Sequence, residues 1–320
     1  MKLISTLLIA ACALSFHSLA LAQDWPTKPV RILVGSAPGG GTDAMARAVA
    51  DRLGALLKQP VVAENRPGAS NTLAADVTAK SVDGHTMVMG VSTAHAIAPN
   101  LLKLSYDSNK DLVPVVYVGA VPNVLVVNNA LPVNSVASLV KLAKEKPGQL
   151  NYASSGSGST QHIAAELFKD QAGVFITHIP YRGSGPALVD LVGGQVQLSF
   201  DTMPSVIGQV KAGRIKALGV ASAKRNPQLP TVPTMAEAGL KGFEMNAWYG
   251  IYMPASTPKS VQDRVYAEVT KVLAMPETQT RLGAIGADLT PMTQAQFAAF
   301  HVAENKRYGD LIAKKNIKLD

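Results

Sequence analysis

Cysteine is nearly missing: Cys12 is the only one in 320 residues. A chain without paired thiols has no disulfide framework and must hold together through its core. Aromatic residues make up only 5% and charged residues 16%, against 47% hydrophobic. The 30 basic residues outnumber the 22 acidic ones, but they are dispersed. With no basic tract and no aromatic stacking motif, nucleic acid is not an expected partner; the positive surface favours anions in general. Neither a repeat nor a low-complexity segment appears. Beyond residue 22, no apolar run is long enough to span a membrane.

Catalytic constellations are missing as well. His85, His95, His162, His178 and His301 show no i,i+4 pairing with one another and no accompanying carboxylate cluster, so no metal site is expected. Gly156-Ser157-Gly158 is too tight for the G-x-S-x-G elbow of hydrolases. Gly35 and Gly40 have the spacing of a P-loop, but Gly41 stands where its lysine should be. No enzymatic activity, metal or cofactor is expected.

What is present begins with a leader. Lys2, the apolar stretch Leu3 to Phe16 and the small-x-small site Ala20-Leu21-Ala22 predict a signal peptide over residues 1–22, cleaved before Gln23. A rival reading takes Ile9-Ala10-Ala11-Cys12 as a lipoprotein box with Cys12 lipidated. About 298 residues remain (320 minus 22), enough for two ordinary domains or one large one.

Two glycine-rich turns follow strand-like runs and lead into amphipathic helices. The first is Ser36-Ala37-Pro38-Gly39-Gly40-Gly41-Thr42-Asp43, after Val30 to Val34. The second is Ser154-Ser155-Gly156-Ser157-Gly158-Ser159-Thr160, after Gln149 to Ala153. A bare turn at a helix start offers unpaired N–H groups and the positive end of the dipole, which together hold an anion. Thr42 is placed to cap the first helix, with Asp43 in its first turn. Two cradles a domain's length apart point to an anion gripped from both sides.

Alternating β-branched runs and helical patterns predict an α/β fold with a parallel sheet. The long run from Leu112 to Asn128 is expected to cross between domains, with Ile215–Val220 as the return crossing. One domain is thus inserted in another: 23–121 and 222–320 form lobe 1, and 122–221 lobe 2. Further candidates sit at predicted strand ends: the small polar tip Ser92-Thr93-Ala94; His162 in the first turn after the second loop; Tyr181-Arg182-Gly183; and Asp201. Arg182 can form a fork to a carboxylate and Tyr181 can lie over an organic ligand. Each has a plainer structural reading: His162 as loop support, Arg182 as a solvent-facing charge, Asp201 as a turn cap. One enzymatic alternative stays open, because Gly39 to Ala44 fits G-x-G-x-x-A and Glu64 lies where a ribose-binding acid would sit.

The motifs together resemble the tripartite tricarboxylate transporter substrate-binding receptors, the Bug family of periplasmic proteins. They are Trp25-Pro26-Thr27-Lys28-Pro29-Val30-Arg31, Pro38 to Asp43, Glu64-Asn65-Arg66-Pro67-Gly68-Ala69, Asn151 to Ser159 with His162, Pro180-Tyr181-Arg182-Gly183 and Phe200-Asp201. The resemblance implies a type II periplasmic-binding fold that closes like a flytrap. It implies a periplasmic, monomeric receptor for a small carboxylate, held by Ser36 to Asp43 and Ser154 to Thr160 and delivered to a membrane permease. An exported sensor of the same fold is the second reading. One departure stands out: Ser70-Asn71 replace the Gly-Gly common after Pro-Gly-Ala, making that turn narrower and more polar.

Overall fold

The computed structural model describes residues 25–318. The expected leader, its cleavage site and Cys12 lie outside the described residues.

The first sheet grows from Val30–Val34 (β1), which pairs in parallel with Val61–Asn65 (β2) and Thr86–Val91 (β3). Between β1 and β2 runs Gly41–Leu57 (α1), and between β2 and β3 runs Thr72–Ala79 (α2). Residues of β1 alternate in direction: Val30, Ile32 and Val34 pack with Met45, Val49 and Leu53 of α1, while Leu33 faces Ala74 and Ala75 of α2. Strands buried on both faces are therefore apolar throughout, as parallel sheets require.

Leu112–Asn128 (β4) is 17 residues long and, as expected, belongs to both sheets. Its first part lies antiparallel to Asn246–Pro254 (β9), which also pairs with β3. The second part pairs antiparallel with Leu198–Thr202 (β7) on one side and Ile215–Val220 (β8) on the other. Asn151–Ser154 (β5) and Thr177–Pro180 (β6) complete the second sheet in parallel with β7. The strand order is β2-β1-β3-β9-β4-β7-β5-β6, with β8 beside β4. Where β4 passes between sheets its register shifts near Gly119, whose φ of 151° only glycine tolerates; a Cβ there would lie 2.7 Å from the Asp288 carbonyl.

One expectation is corrected. β8 does not cross back, since the strand it pairs with is the Val124–Asn128 part of β4, in the second sheet. The first sheet is re-entered at β9, whose Asn246 faces Pro122. Ala221 and Met245 meet edge to edge, Met245 N donating to Ala221 O at 2.9 Å, so the chain loops out and returns beside its own departure.

Helices cover the second sheet: Val136–Glu145 (α3), Thr160–Ala172 (α4), Ser184–Val192 (α5) and Met203–Lys211 (α6). Ser135 caps α3 in a capping box with Ser138. Thr234 and Glu237 make the same reciprocal bonds, although these close only a turn. Lys259–Ala274 (α7), Pro276–Ala284 (α8) and Gln294–Lys315 (α9) return to the first sheet, where Phe297, Tyr308 and Ile312 of α9 pack against Trp248 and Tyr252 of β9. No helix among the described residues is long and apolar enough to cross a membrane.

Candidate ligand-binding cleft

The two glycine loops meet where the sheets face each other. The first leaves β1 and enters α1 at Gly41, with Gly40 as the N-cap and no side-chain cap. The expected cap is thus corrected: Thr42 already lies inside the helix, and Gly40, at φ −87°, bends the chain without needing a hydroxyl. Asp43 stands in the first turn as expected, but it is buried and faces inward. Its carboxylate accepts from Gly39 N at 3.1 Å, Asn65 Nδ2 at 2.9 Å and Arg47 Nε at 3.0 Å. Burial alone would raise its pKa; these hydrogen bonds outweigh burial and hold it below the usual carboxylate range. Asp43 therefore fixes the loop.

The second loop is held with equal care. Gly156 has φ 138° and Gly158 φ 78°, both left to glycine. Ser154 Oγ accepts from Gly156 N at 3.1 Å and bonds His178 Nε2 at 2.6 Å. His162 Nδ1 accepts from Gly158 N at 3.0 Å, and its ring stacks on His178 with centroids 4.3 Å apart. Ser159 caps α4 by accepting from His162 N at 3.2 Å. Ser154, Gly158, Ser159 and His162 thus form a rigid support for the loop.

Between the loops lies a cavity of about 20 Å³, lined by Ser36, Gly40, Gly41, Thr42, Asn71, Thr93, Ser155, Thr160, Gln161, Ser184, Thr202 and Tyr249 among others. That is room for about one water, so the two halves are closed on each other. Gly41 N donates to Ser205 Oγ of α6 at 3.0 Å, and Ser70 Oγ donates to the Ser157 carbonyl; both bonds join the first half to the second. A second cavity of about 190 Å³ shares Ser36, Asn71 and Ser155 with the first and is walled by Ser70, Ser157, Tyr181, Arg182 and Gly183.

Three polar atoms around this region are buried without a hydrogen-bond partner: Ser36 Oγ, Asn71 Oδ1 and Ser92 Oγ. Orphans of this kind are rare in native folds, and here two of their residues line both cavities. Ala37, Pro38, Gly39 and Ala94 line neither, and Tyr181 turns its hydroxyl away to Asp190 at 2.6 Å rather than over the cleft.

Asp201 is fully buried at the end of β7 and does not line either cavity. Its Oδ1 accepts from Ser184 Oγ at 2.7 Å, Thr202 N at 2.7 Å and Gln161 Nε2 at 3.1 Å. Gln161 Oε1 in turn accepts from Ser155 Oγ at 3.0 Å and Thr160 Oγ1 at 3.2 Å. Burial raises the Asp201 pKa, and the hydrogen bonds oppose that rise. One carboxylate therefore sets the direction of two loop hydroxyls. Sequence reasoning did not find Gln161, Ser184, Thr202 and Tyr249, because no local motif marks them. The replacement of Gly-Gly by Ser70-Asn71 was the signal for that turn. There Ala69, Ser70 and Asn71 all take positive φ (45°, 54° and 72°), the conformation glycine would supply.

Glu64, the acid of the dinucleotide alternative, is occupied by Arg66 Nε at 2.7 Å and by Arg31 at 3.6 Å. No cluster of metal-ligating side chains occurs among the described residues.

Residues 45–317 match the model of the tripartite tricarboxylate transporter family receptor. Protein BugT of Bordetella pertussis is 36% identical over 301 residues, 93% of this chain and 92% of that protein. An R. palustris protein solved with adipate is 37% identical and superposes with a TM-score of 0.89 over 92% of this chain and 99% of that one. MatC of Rhodopseudomonas palustris, solved with malate, is 33% identical with a TM-score of 0.86 over 90% and 100%. Both structures share the two-lobed type II fold with crossing strands. This chain belongs to the Bug-type receptors of tripartite tricarboxylate transporters, a family of periplasmic solute-binding transport receptors rather than enzymes.

Proposed function

We propose that the protein, exported by cleavage after Ala22, captures a small organic carboxylate between its lobes and delivers it to a tripartite tricarboxylate-type permease. The observation that carries this reading is the closed cavity between two helix starts, with the buried, unpartnered hydroxyl of Ser36 on its wall. A carboxylate there meets the unpaired Ser36 hydroxyl at the positive ends of α1 and α4. Relatives holding adipate and malate support the same ligand class. Contacts fall to Ser36, Gly40, Gly41 and Thr93 from lobe 1 and to Ser155, Ser157 and Thr160 from lobe 2, without metal or cofactor. The lobes divide at 121/122, where β4 passes between the sheets; the return division, expected at 221/222, falls at the start of β9. The protein acts as a monomer.

Thermal unfolding against a panel of organic acids tests this. A ligand at a hundred times its Kd adds about 2.7 kcal/mol of stability. A clear rise of the midpoint with at least one small carboxylate, unaffected by EDTA, is expected. No response to any acid would refute the reading. Scattering should also show a smaller radius of gyration on saturation, because only the closed state touches ligand with both lobes.

A further inference from the structure

We propose that His162 is a positioning residue for the second loop: its bare Nδ1 sets the Gly158 amide, so that ligand capture needs a neutral ring and weakens as the imidazole takes a proton. The inference rests on the receptor reading above and adds a pH control to that cleft.

The loop between β5 and α4 reaches the cleft on both sides of Gly158. Ser155, Gly156 and Ser157 wall the larger cavity, and Ser155, Thr160 and Gln161 wall the smaller. Gly158 itself lines neither, but its φ of 78° makes the bend between them, and that bend is fixed from behind. Gly158 N donates to His162 Nδ1, in the first turn of α4, at 3.0 Å. Gly156 N donates to Ser154 Oγ at 3.1 Å, and that hydroxyl bonds His178 Nε2 of β6 at 2.6 Å. The two rings stack with centroids 4.3 Å apart and planes 8° from parallel. Both glycine amides thus hang on one imidazole pair, Gly158 directly and Gly156 through Ser154.

A backbone N–H can only donate, so Nδ1 of His162 is the bare nitrogen and Nε2 carries the hydrogen. A further proton goes to Nδ1, where it opposes the Gly158 N–H. Donor then faces donor, and the loop must let go of the ring. Burial does not by itself forbid that proton, because a counter-ion is close. Glu166 Oε1 lies 4.0 Å from His162 Nε2, shared with Lys169 at 2.7 Å and the Tyr152 hydroxyl at 2.8 Å. His178 lies between the rings of His162 and Tyr152, and two charged imidazoles at stacking distance repel, so the pair takes one proton rather than two. Ser157 adjoins the same bend, and its carbonyl accepts from Ser70 Oγ of lobe 1. Releasing Gly158 therefore disturbs a contact between the lobes as well as the shape of the cradle. The closed, liganded state refuses the proton that the open state accepts, and binding expels it.

Calorimetric titration of the whole mature protein with succinate, malate, adipate and hexanoate, from about pH 8 to about pH 6, tests this. Buffers of different protonation enthalpy add the count of protons released. One linked proton is worth up to about tenfold per pH unit, and wild-type affinity should fall about threefold or more over the span, with net proton release at its acid end. His162→Asn places Oδ1 where Nδ1 stands and does not titrate. It should bind within about threefold of wild type at the alkaline end and lose the wild-type slope, whereas His162→Leu, which strands the Gly158 amide, should lose about tenfold or more throughout. Protons taken up by the acids themselves are common to both proteins and cancel in the comparison of wild type with H162N. Ring NMR of the wild type needs no variant: saturating ligand should move the His162 titration to lower pH. Parallel profiles for wild type and H162N overturn the proposal alone. Tighter wild-type binding at the acid end does so too, since the ligand's attraction for an imidazolium would then outweigh the hydrogen bond. Failure of all four acids to bind at any pH overturns it together with the receptor reading.

Discussion

Replacing Gly185 by alanine is expected to weaken ligand capture about tenfold or more while leaving the free protein at least as stable as the wild type. Gly185 is the second residue of α5, in lobe 2, with an ordinary helical backbone. A Cβ there would lie 2.6 Å from the carbonyl oxygen of Pro38, in the lobe 1 loop, and 3.8 Å from its carbon, with nothing else within 4 Å. That loop cannot yield easily, since the next amide, Gly39 N, is tied to Asp43. The clash is therefore relieved by parting the lobes. Overpacking of this kind costs about 1–3 kcal/mol, and every 1.4 kcal/mol is tenfold in affinity. In the open state the methyl meets no obstacle, and Gly→Ala at a compatible position stabilises a fold by about 0.4–1 kcal/mol through the unfolded chain. The two effects have opposite signs, which separates a closure defect from a folding defect. Calorimetry and thermal unfolding on the same sample read both. Wild-type affinity in G185A would show that closure needs no contact between α5 and the first loop. Gly208→Ala, in α6 of the same lobe, is the control for the added methyl, because its Cβ would meet nothing within 4 Å.

What the sequence made legible was whatever depends on neighbours in the chain. The strand–glycine turn–helix units at Val30–Leu57 and Asn151–Ala172 were readable because turn, cap and helical spacing all lie within about twenty residues. The 17-residue β4 was readable as a crossing because so long a β-branched run exceeds one sheet's width. Pairing between distant segments was not readable. β9 lies between β3 and β4, more than a hundred residues from either, and nothing in its own pattern names those partners. For the same reason Ile215–Val220 reads as a return crossing, since its pattern fits a strand in either sheet. At the site, the loops were legible but their wiring was not. Asp201, Gln161 and Ser184 come from three elements, and only folding shows that Asp201 orients Gln161. His162 likewise looked like a cleft residue from its place in the helix; its hydrogen bond to Gly158 N turns it to the loop.

Acidification from pH 6.5 to 4 should remove about 3 kcal/mol of stability through His301, buried with His95 between α9 and the first sheet. His301 Nε2 donates to Asn109 Oδ1 at 2.9 Å, and its Nδ1 accepts from the Tyr252 hydroxyl at 3.0 Å, so the neutral ring satisfies both partners. Burial pushes its pKa down to about 4. His95 lies flat on Tyr252 at 3.8 Å, bonds Ser108 Oγ through Nδ1, and leaves Nε2 buried without a partner. A proton there would have no acceptor, and burial, with the nearby His301 second, holds the His95 pKa well below its usual value. Glu304, one turn along α9, does not rescue the charge, because it is held by Arg307 and Trp248. The sign follows from proton counting. Above pH 6.5 the rings are neutral folded and unfolded, and stability does not depend on them. Between 6.5 and 4 the unfolded chain binds protons that the folded one refuses, so stability falls with pH. Each unit of depression is worth 1.36 kcal/mol, which gives about 3 kcal/mol for His301 alone. Asp201 acts in the opposite direction, since its raised pKa favours the folded state as it takes up a proton. Carboxylates such as Asp83, held down to about 2 by hydrogen bonds that outweigh burial, lose their contribution only below about pH 4. The histidine effect is therefore isolated by comparing denaturant midpoints of wild type and His301→Gln across pH 7 to 4.5. Glutamine offers the same donor and acceptor without a titration in this range, so the variant's profile should be flatter by roughly two kcal/mol or more over that span. Parallel profiles for the two proteins would show that the ring is not held neutral by the fold.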